Sequence, residues 1–320
     1  MSKQQIYTVI KWLFAIAAYG YLAYKLVSFD NYDEMLAAWK QIPASKYGWL
    51  AATLVLLPLN LLLEARKWIK LTKSIIDISV PSALKTVLSG ICSGFFTPNR
   101  IGEVIGRISY LPASCHAQGL TLSIVNSITQ NLTILLCGIP ASIVFFLYIY
   151  TDAVTSSISV YIIVLGICLL LFCGLYLRLP RLFKQNKFTK IKRFTDCLTT
   201  YSTVDLLKIM LISLTRYAVF CVQFFCVLCF FGVEITVWQA VVAIPVNYLF
   251  VTFTPSFAFS EVAVRSSYAV LFIGVFSPHA VSIILAGTLI WVINTVIPML
   301  VGAIYLVKYR EIASKVFKPK

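Results

Sequence analysis

Apolar residues in this chain neither alternate nor keep to one helical stripe; they come in runs as long as a bilayer is thick. Runs at about 10–27, 47–63, 120–150, 159–177, 207–231 and 280–307 approach or exceed the ~20 residues a helix needs to cross a hydrocarbon core. They predict about six full spans. Two further stretches, 75–111 and 238–276, are less uniformly apolar. Pro81, Gly90, Gly94, Pro98 and Gly102 interrupt the first, and Pro245 and Pro255 break the second. Neither half of either stretch makes a comfortable span, so each is expected to be a broken helical hairpin.

Charge orients these elements. Lys and Arg collect on the cytoplasmic side of membrane proteins. Span 47–63 runs into "EARKWIKLTK", whose Arg66, Lys67, Lys70 and Lys73 mark the cytoplasmic face and place the N-terminus there too. "TDAVTSS" after Tyr150 has no basic residue and reads as external. The segment 178–206 is strongly basic and cytoplasmic, as is the tail with Lys308, Arg310, Lys315, Lys318 and Lys320. Only one long span lies between the basic cluster at 66–73 and the external turn at 151. The stretch 75–111 must therefore start and finish on the cytoplasmic side. By the same parity 238–276 starts and finishes outside. The two hairpins form an inverted pair, whether each is re-entrant or made of two tilted crossing helices. The expected fold is an all-α polytopic membrane protein of the cytoplasmic (inner) membrane, one membrane domain over 1–320. Its pseudo-repeat halves, about 1–177 and 207–320, are joined by the basic cytoplasmic loop 178–206, and both termini are cytoplasmic.

Composition agrees with this. The chain is 60% hydrophobic with only 12% charged residues, far from a soluble domain. Its net charge of +15 flanks apolar spans and forms no soluble basic face, so nucleic-acid binding is not expected. The nine cysteines lie mostly in apolar runs without paired spacing; they form no disulfide framework, and "CVLC" at Cys226–Cys229 reads as packing. His116 and His279 stand apart at helix edges, so no metal is expected. The first run, after Lys3 and Lys11, resembles a signal peptide but lacks a clear small-residue cleavage site, and is read as a retained helix.

A charged phrase occurs twice. "TPNRIGEVIGR" starts at Thr97 and "TPSFAFSEVAVR" at Thr254, about half a chain apart. Each opens Thr-Pro and sets Glu and Arg four residues apart: Glu103 with Arg107, and Glu261 with Arg265. Proline disfavours helix in the residue before it and suits the first turn after it. Thr97–Pro98 with Gly102, and Thr254–Pro255, are therefore the expected hairpin breaks. Broken helices meeting near the midplane are the plan of secondary transporters. Intramembrane charges cost several kcal/mol each unless paired. Arg100, Glu103, Arg107, Arg216, Glu261 and Arg265 are the candidates, four cations against two carboxylates. Such an interior favours phosphate or another anion, which arginine grips bidentately. Two readings stay open: the Glu–Arg pairs pin helices, or they contact a substrate or coupling ion. Arg100 could also snorkel to the interface. Asn126, Gln130 and Asn294, with Asn131, Tyr217 and Gln223, suit interhelical hydrogen bonding or the lining of a polar cavity.

At these residues the chain resembles the flippase-like family named after the transmembrane region of lysylphosphatidylglycerol synthase. "SGFFTPNRIGEVIGR", "SLTRYAVFCVQFF" and "IWVINTVIPMLVG" look like its single-domain members. The resemblance covers most of the chain, with Pro255…Glu261 where the family has a second Pro-Gly-rich phrase ending in Glu. The sequence departs from the family pattern in "SFAFS", which replaces glycines, and in "NSITQ" at 126–130, which replaces a charged Glu-Arg pattern. The resemblance implies a protein that moves or handles amphipathic lipids. It does not imply lysyl transfer, which belongs to a separate soluble domain that does not fit in this chain.

The leading expectation is a lipid translocase, not an enzyme, that moves an anionic phospholipid or a polyprenyl-phosphate-linked lipid and uses no bound cofactor. Arg107, Arg216 and Arg265 would hold the headgroup phosphate, with Glu103 and Glu261 orienting them or taking up protons to reset the site. The alternatives are a polytopic transferase acting on a lipid-linked sugar or phosphate, a small-solute or ion transporter, and a scaffold among envelope-synthesis partners. Which lipid, which direction and which oligomeric state stay open.

Overall fold

The computed structural model describes residue 39 and residues 42–97, 100–149, 156–184, 189–255 and 258–316. The described residues are helical, with no strand. A 3-10 turn leads into α1 (Tyr47–Thr72). The first hairpin is α2 (Val80–Phe95) and the short α3 (Gly102–Ile108). Then come α4 (His116–Ile149), α5 (Ser156–Lys184) and α6 (Thr189–Thr199). The rest is α7 (Thr203–Phe230), α8 (Val237–Phe253), α9 (Ala258–Ile273) and α10 (Ala280–Trp291). A π turn, Val292–Val296, joins α10 to α11 (Ile297–Val316).

Helix starts follow local chemistry. Ser202 and Asp205 form a reciprocal capping box at α7, as do Thr236 and Gln239 at α8, which satisfies amide donors left open in a first turn. Pro81 occupies the first turn of α2, where its missing amide hydrogen is harmless.

Among the described residues, five helical segments are long and apolar enough to cross a membrane: Ala44–Thr72, Ala113–Ile149, Ile162–Lys184, Thr203–Phe230 and Ala280–Leu306. The chain is therefore built as a multi-pass membrane protein. They coincide with five of the six expected spans. The sixth, at 10–27, lies outside the described residues, as do Pro98, the turn at 151–155 and the tail lysines Lys318 and Lys320. Boundaries differ from the sequence reading at three basic segments; the last run, expected to end at about 307, continues as helix to Val316. Span 47–63 continues as helix through the basic cluster to Thr72. The basic segment 178–206 is largely helical: Arg178 and Arg181 belong to α5, and α6 follows.

Packing falls into two matching sets. α1 lies along α7. α2 packs on α3, α1 and α11; α8 packs on α9, α7 and α4. α3 meets α4, and α9 meets α10. Exchanging α1–α4 for α7–α11 maps each of these contacts onto another. A glycine seats each outer helix against a hairpin. A methyl at Gly138 of α4 would fall 2.8 Å from Leu249 of α8, and one at Gly302 of α11 would strike the Leu88 carbonyl of α2. Small residues permit such backbone approach in membrane bundles.

Each hairpin also centres an apolar core. Ala83, Val87, Ile91 and Phe95 of α2 join Trp68, Leu122 and Met299. Ala240, Ala243, Ile244 and Ile273 of the second hairpin join Val227, Ile283 and Ala286. α5 stands at the edge, with Leu170, Leu171 and Phe172 exposed, as a lipid-facing helix requires.

Candidate functional site

Asn60, Glu64 and Lys67 fall on one face of α1, since helical residues three and four apart are neighbours. All three are buried. Glu64 is not among the residues that stand out in the sequence, and Lys67 reads there as a cytoplasmic surface charge. Here Lys67 turns inward while its neighbour Arg66 stays exposed. Glu64 is the hub of a charge cluster. Its Oε1 accepts from Arg107 Nη2 at 2.6 Å and from Asn126 Nδ2 at 3.0 Å. Its Oε2 lies 2.9 Å from Lys67 Nζ and 2.8 Å from Arg216 Nη1. Arg107 also pairs with Glu103 one turn back and lies against the Trp68 ring. Gln130 Oε1 accepts from Arg216 at 3.2 Å and sits 3.4 Å from Lys67. Arg216 Nε donates to Asn60 Oδ1 at 2.9 Å. Four helices, α1, α3, α4 and α7, thus meet on one carboxylate.

The second cluster is built on Glu261 of α9. Its Oε1 accepts from Arg265 Nη2 and Arg100 Nη2, both at 2.8 Å. Its Oε2 accepts from Trp291 Nε1 at 3.2 Å, and Arg100 also donates to Thr295 Oγ1 at 3.0 Å. The two repeated phrases therefore meet in space, at Arg100 and Glu261. Arg100 has a left-handed backbone, φ +58°, a conformation that costs a non-glycine residue about 1 kcal/mol.

A neutral string links the halves between these clusters. Gln223 Nε2 donates to the Thr53 carbonyl, and Gln223 Oε1 accepts from Asn294 at 3.1 Å. Asn126, Gln130, Asn294 and Gln223 thus all bridge helices. Asn131 is exposed, and Tyr217 is buried with its hydroxyl beside the Cys221 thiol of its own helix, so that hydroxyl bridges no helices.

The fold brings together all six charged residues singled out from the sequence and adds Glu64 and Lys67. Five cations face three carboxylates, leaving two positive charges in excess. Exposure divides them. Arg107 and Lys67 are sealed, whereas Arg100, Glu103, Arg216 and Arg265 are partly open.

At the first break, Thr97 Oγ1 accepts from the Gly102 amide at 2.7 Å and donates to the Gly94 carbonyl at 3.1 Å. It ties the end of α2 to the start of α3. Losing such a cap costs about 1 kcal/mol, and Thr97→Ala is expected to lower the detergent melting temperature modestly while Thr97→Ser stays near wild type. At the second break Thr254 is extended, φ −85° and ψ 120°, and its hydroxyl lies 2.9 Å from that of Tyr268.

Among the described residues no group of three or more His, Cys, Asp or Glu side chains could hold a metal ion. His116 Nε2 lies 3.0 Å from the Leu111 carbonyl, and the cysteines are free thiols. Compared with protein-family models, curated proteins and solved structures, the chain matches none.

Proposed function

We propose that this protein is a lipid translocase of the cytoplasmic membrane that passes an anionic headgroup between its two halves while the tails stay in lipid. The observation that carries this reading is the interior charge assembly: both broken hairpins deliver Arg–Glu pairs to it, positive charge is in excess, and part of it is open. Intramembrane charges mark substrate or ion paths, and excess arginine favours phosphate.

Topology supports the same reading. α3 has seven residues, about 10 Å of helix, too little to cross ~30 Å of hydrocarbon. That length supports a first hairpin that returns to the face it left. With α5 crossing once, the second hairpin enters from the opposite face. The matching packing of the two sets supports an inverted repeat, and Arg66, Lys70 and Lys73, with the basic residues at 178–193, favour the cytoplasmic side for both segments. Inverted repeats around a midplane site suit alternating access by rocking. The resemblance of the first phrase to the flippase-like family points the same way.

The test is transbilayer movement of labelled lipids in liposomes containing the purified protein. The panel comprises zwitterionic phospholipids, anionic phospholipids and a polyprenyl phosphate. One anionic class is expected to move, and a folded Arg216→Gln variant is expected to move it at least roughly tenfold more slowly, the loss of one charge-assisted contact. Movement of every lipid or of none, with the variant indistinguishable, rejects the reading. Chemical change of the lipid would instead assign a transferase, and uptake of a water-soluble ion would assign a solute transporter.

A further inference from the structure

We propose that Glu261 is a resident substitute for the ligand's phosphate, and that Arg100 and Arg265 are the pair that exchanges it. This deepens the translocase reading and rests on it only for the chemistry of the ligand.

Four observations single out this cluster over the one at Glu64. Both guanidinium groups are held on one carboxylate oxygen, Oε1, at 2.8 Å each. That is a crowded arrangement for two planar forks, each able to take a pair of oxygens. A phosphate presents separate oxygens to the two arginines, and a monoester or free phosphate also brings more charge than the carboxylate. Arg100 and Arg265 are also reachable, with side chains 37% and 21% exposed, whereas Arg107 and Glu64 are each 1% exposed. Third, the two arginines belong to different units, Arg100 to the tip of the first hairpin and Arg265 to α9. Fourth, Arg100 holds a left-handed backbone while its side chain reaches Glu261 and Thr295. Strain of this kind persists only where surrounding contacts enforce it.

The exchange has a mechanical consequence. While Glu261 occupies both arginines, the first hairpin's tip is tied to α9. Phosphate binding releases that carboxylate from Arg100, and the tip's backbone is then free to leave the left-handed region. Glu261 keeps its Oε2 contact with Trp291 Nε1. Ligand binding is thereby coupled to freeing one half from the other, the step alternating access needs. An internal anion also lowers apparent affinity by the fraction of time it holds the site.

The experiment measures binding to the full-length protein in detergent, using a polyprenyl monophosphate, phosphatidylglycerol and inorganic phosphate as separate probes. Glu261→Gln keeps the shape and Trp291 contact but gives up the charge. It is expected to tighten binding of a phosphate-bearing probe by about tenfold, as when a site blocked nine-tenths of the time is cleared. Arg100→Gln is expected to weaken the same probe by a similar factor. Tightening for lipid probes alone assigns a lipid headgroup; tightening for inorganic phosphate as well assigns a site that free phosphate also fills. A folded Glu261→Gln protein with unchanged or weaker binding of every probe overturns the proposal. If that variant does not fold, hydrogen exchange on the wild type decides. A saturating probe is expected to speed exchange at Thr97, Arg100 and Gly102, and unchanged or slower exchange overturns the proposal. Binding needs no transport, so the two readings fail separately. These binding changes in a protein inactive in vesicles remove the translocase and keep the exchange. Transport with binding indifferent to Glu261→Gln does the reverse.

Discussion

Replacing Glu64 with alanine is expected to destabilise the protein by about 3–5 kcal/mol, the cost of removing one partner from a buried ion pair, and to leave little folded protein after extraction. The reason is the company Glu64 keeps. Arg107, Lys67 and Arg216 all lie within 2.9 Å of its carboxylate oxygens, and Arg107 and Lys67 have no route to water. Without Glu64, Arg107 retains Glu103, but Lys67 and Arg216 lose their carboxylate. The check is a thermal melt followed by size-exclusion chromatography in detergent. Adding Lys67→Met to Glu64→Ala is expected to recover part of the loss, since one stranded charge is gone. Glu103→Ala, which removes a half-open partner, is expected to be milder. A Glu64→Ala protein that melts with wild type refutes the hub.

Gly106→Val is expected to break the first hairpin. A side chain at Gly106 meets the Ser89 carbonyl at 2.5 Å and the Gly90 Cα at 2.8 Å, both backbone atoms of α2 that cannot turn aside. Overpacking a tight contact costs about 1–3 kcal/mol or more. Here the damage reaches further, because the next residue is Arg107. Pushing α3 off α2 moves that guanidinium from Glu64. The expected outcome is a lowered melting temperature together with lost lipid movement. Gly106→Ala is expected to fall between, and a valine variant with native stability would refute the glycine-to-glycine contact.

Much of the fold was legible because apolar length is a strong signal. The runs at 120–150 and 207–231 became α4 and α7 with only small shifts at their ends, and the run at 280–307 became the α10–α11 pair, which continues to Val316. The break at 97–102 was legible because Thr-Pro and glycine have few other uses inside an apolar stretch. The site was legible in part. Glu103, Arg107, Glu261 and Arg265 stood out by repetition, and Arg216 by its isolation in an apolar run. Glu64 and Lys67 did not stand out, because a basic cluster after a span reads as a cytoplasmic edge. The signal that would have found them is the spacing of Asn60, Glu64 and Lys67 on one helical face, against Arg66 on another. The Arg100–Glu261 contact was beyond local reading, since it depends on how two distant hairpins dock. The left-handed backbone at Arg100 was equally hidden, as an arginine carries no mark of that conformation.

The local partners of the three carboxylates bear on how the chain is made. Glu64 has Lys67 three residues on, Glu103 has Arg107 four on, and Glu261 has Arg265 four on. The contacts between halves, Arg216 with Glu64 and Arg100 with Glu261, require segments that emerge much later. A chain that folds as it is synthesised must insert α1 before Arg216 exists. An unpaired carboxylate would resist leaving the translocon for lipid. Because each carboxylate has a counter-charge on its own helix, each of these three segments is able to enter the bilayer with its carboxylate already matched. The order in which charges leave the ribosome would then be the order in which they are matched, and the cross-half pairs would form last, on a framework that does not need them for insertion.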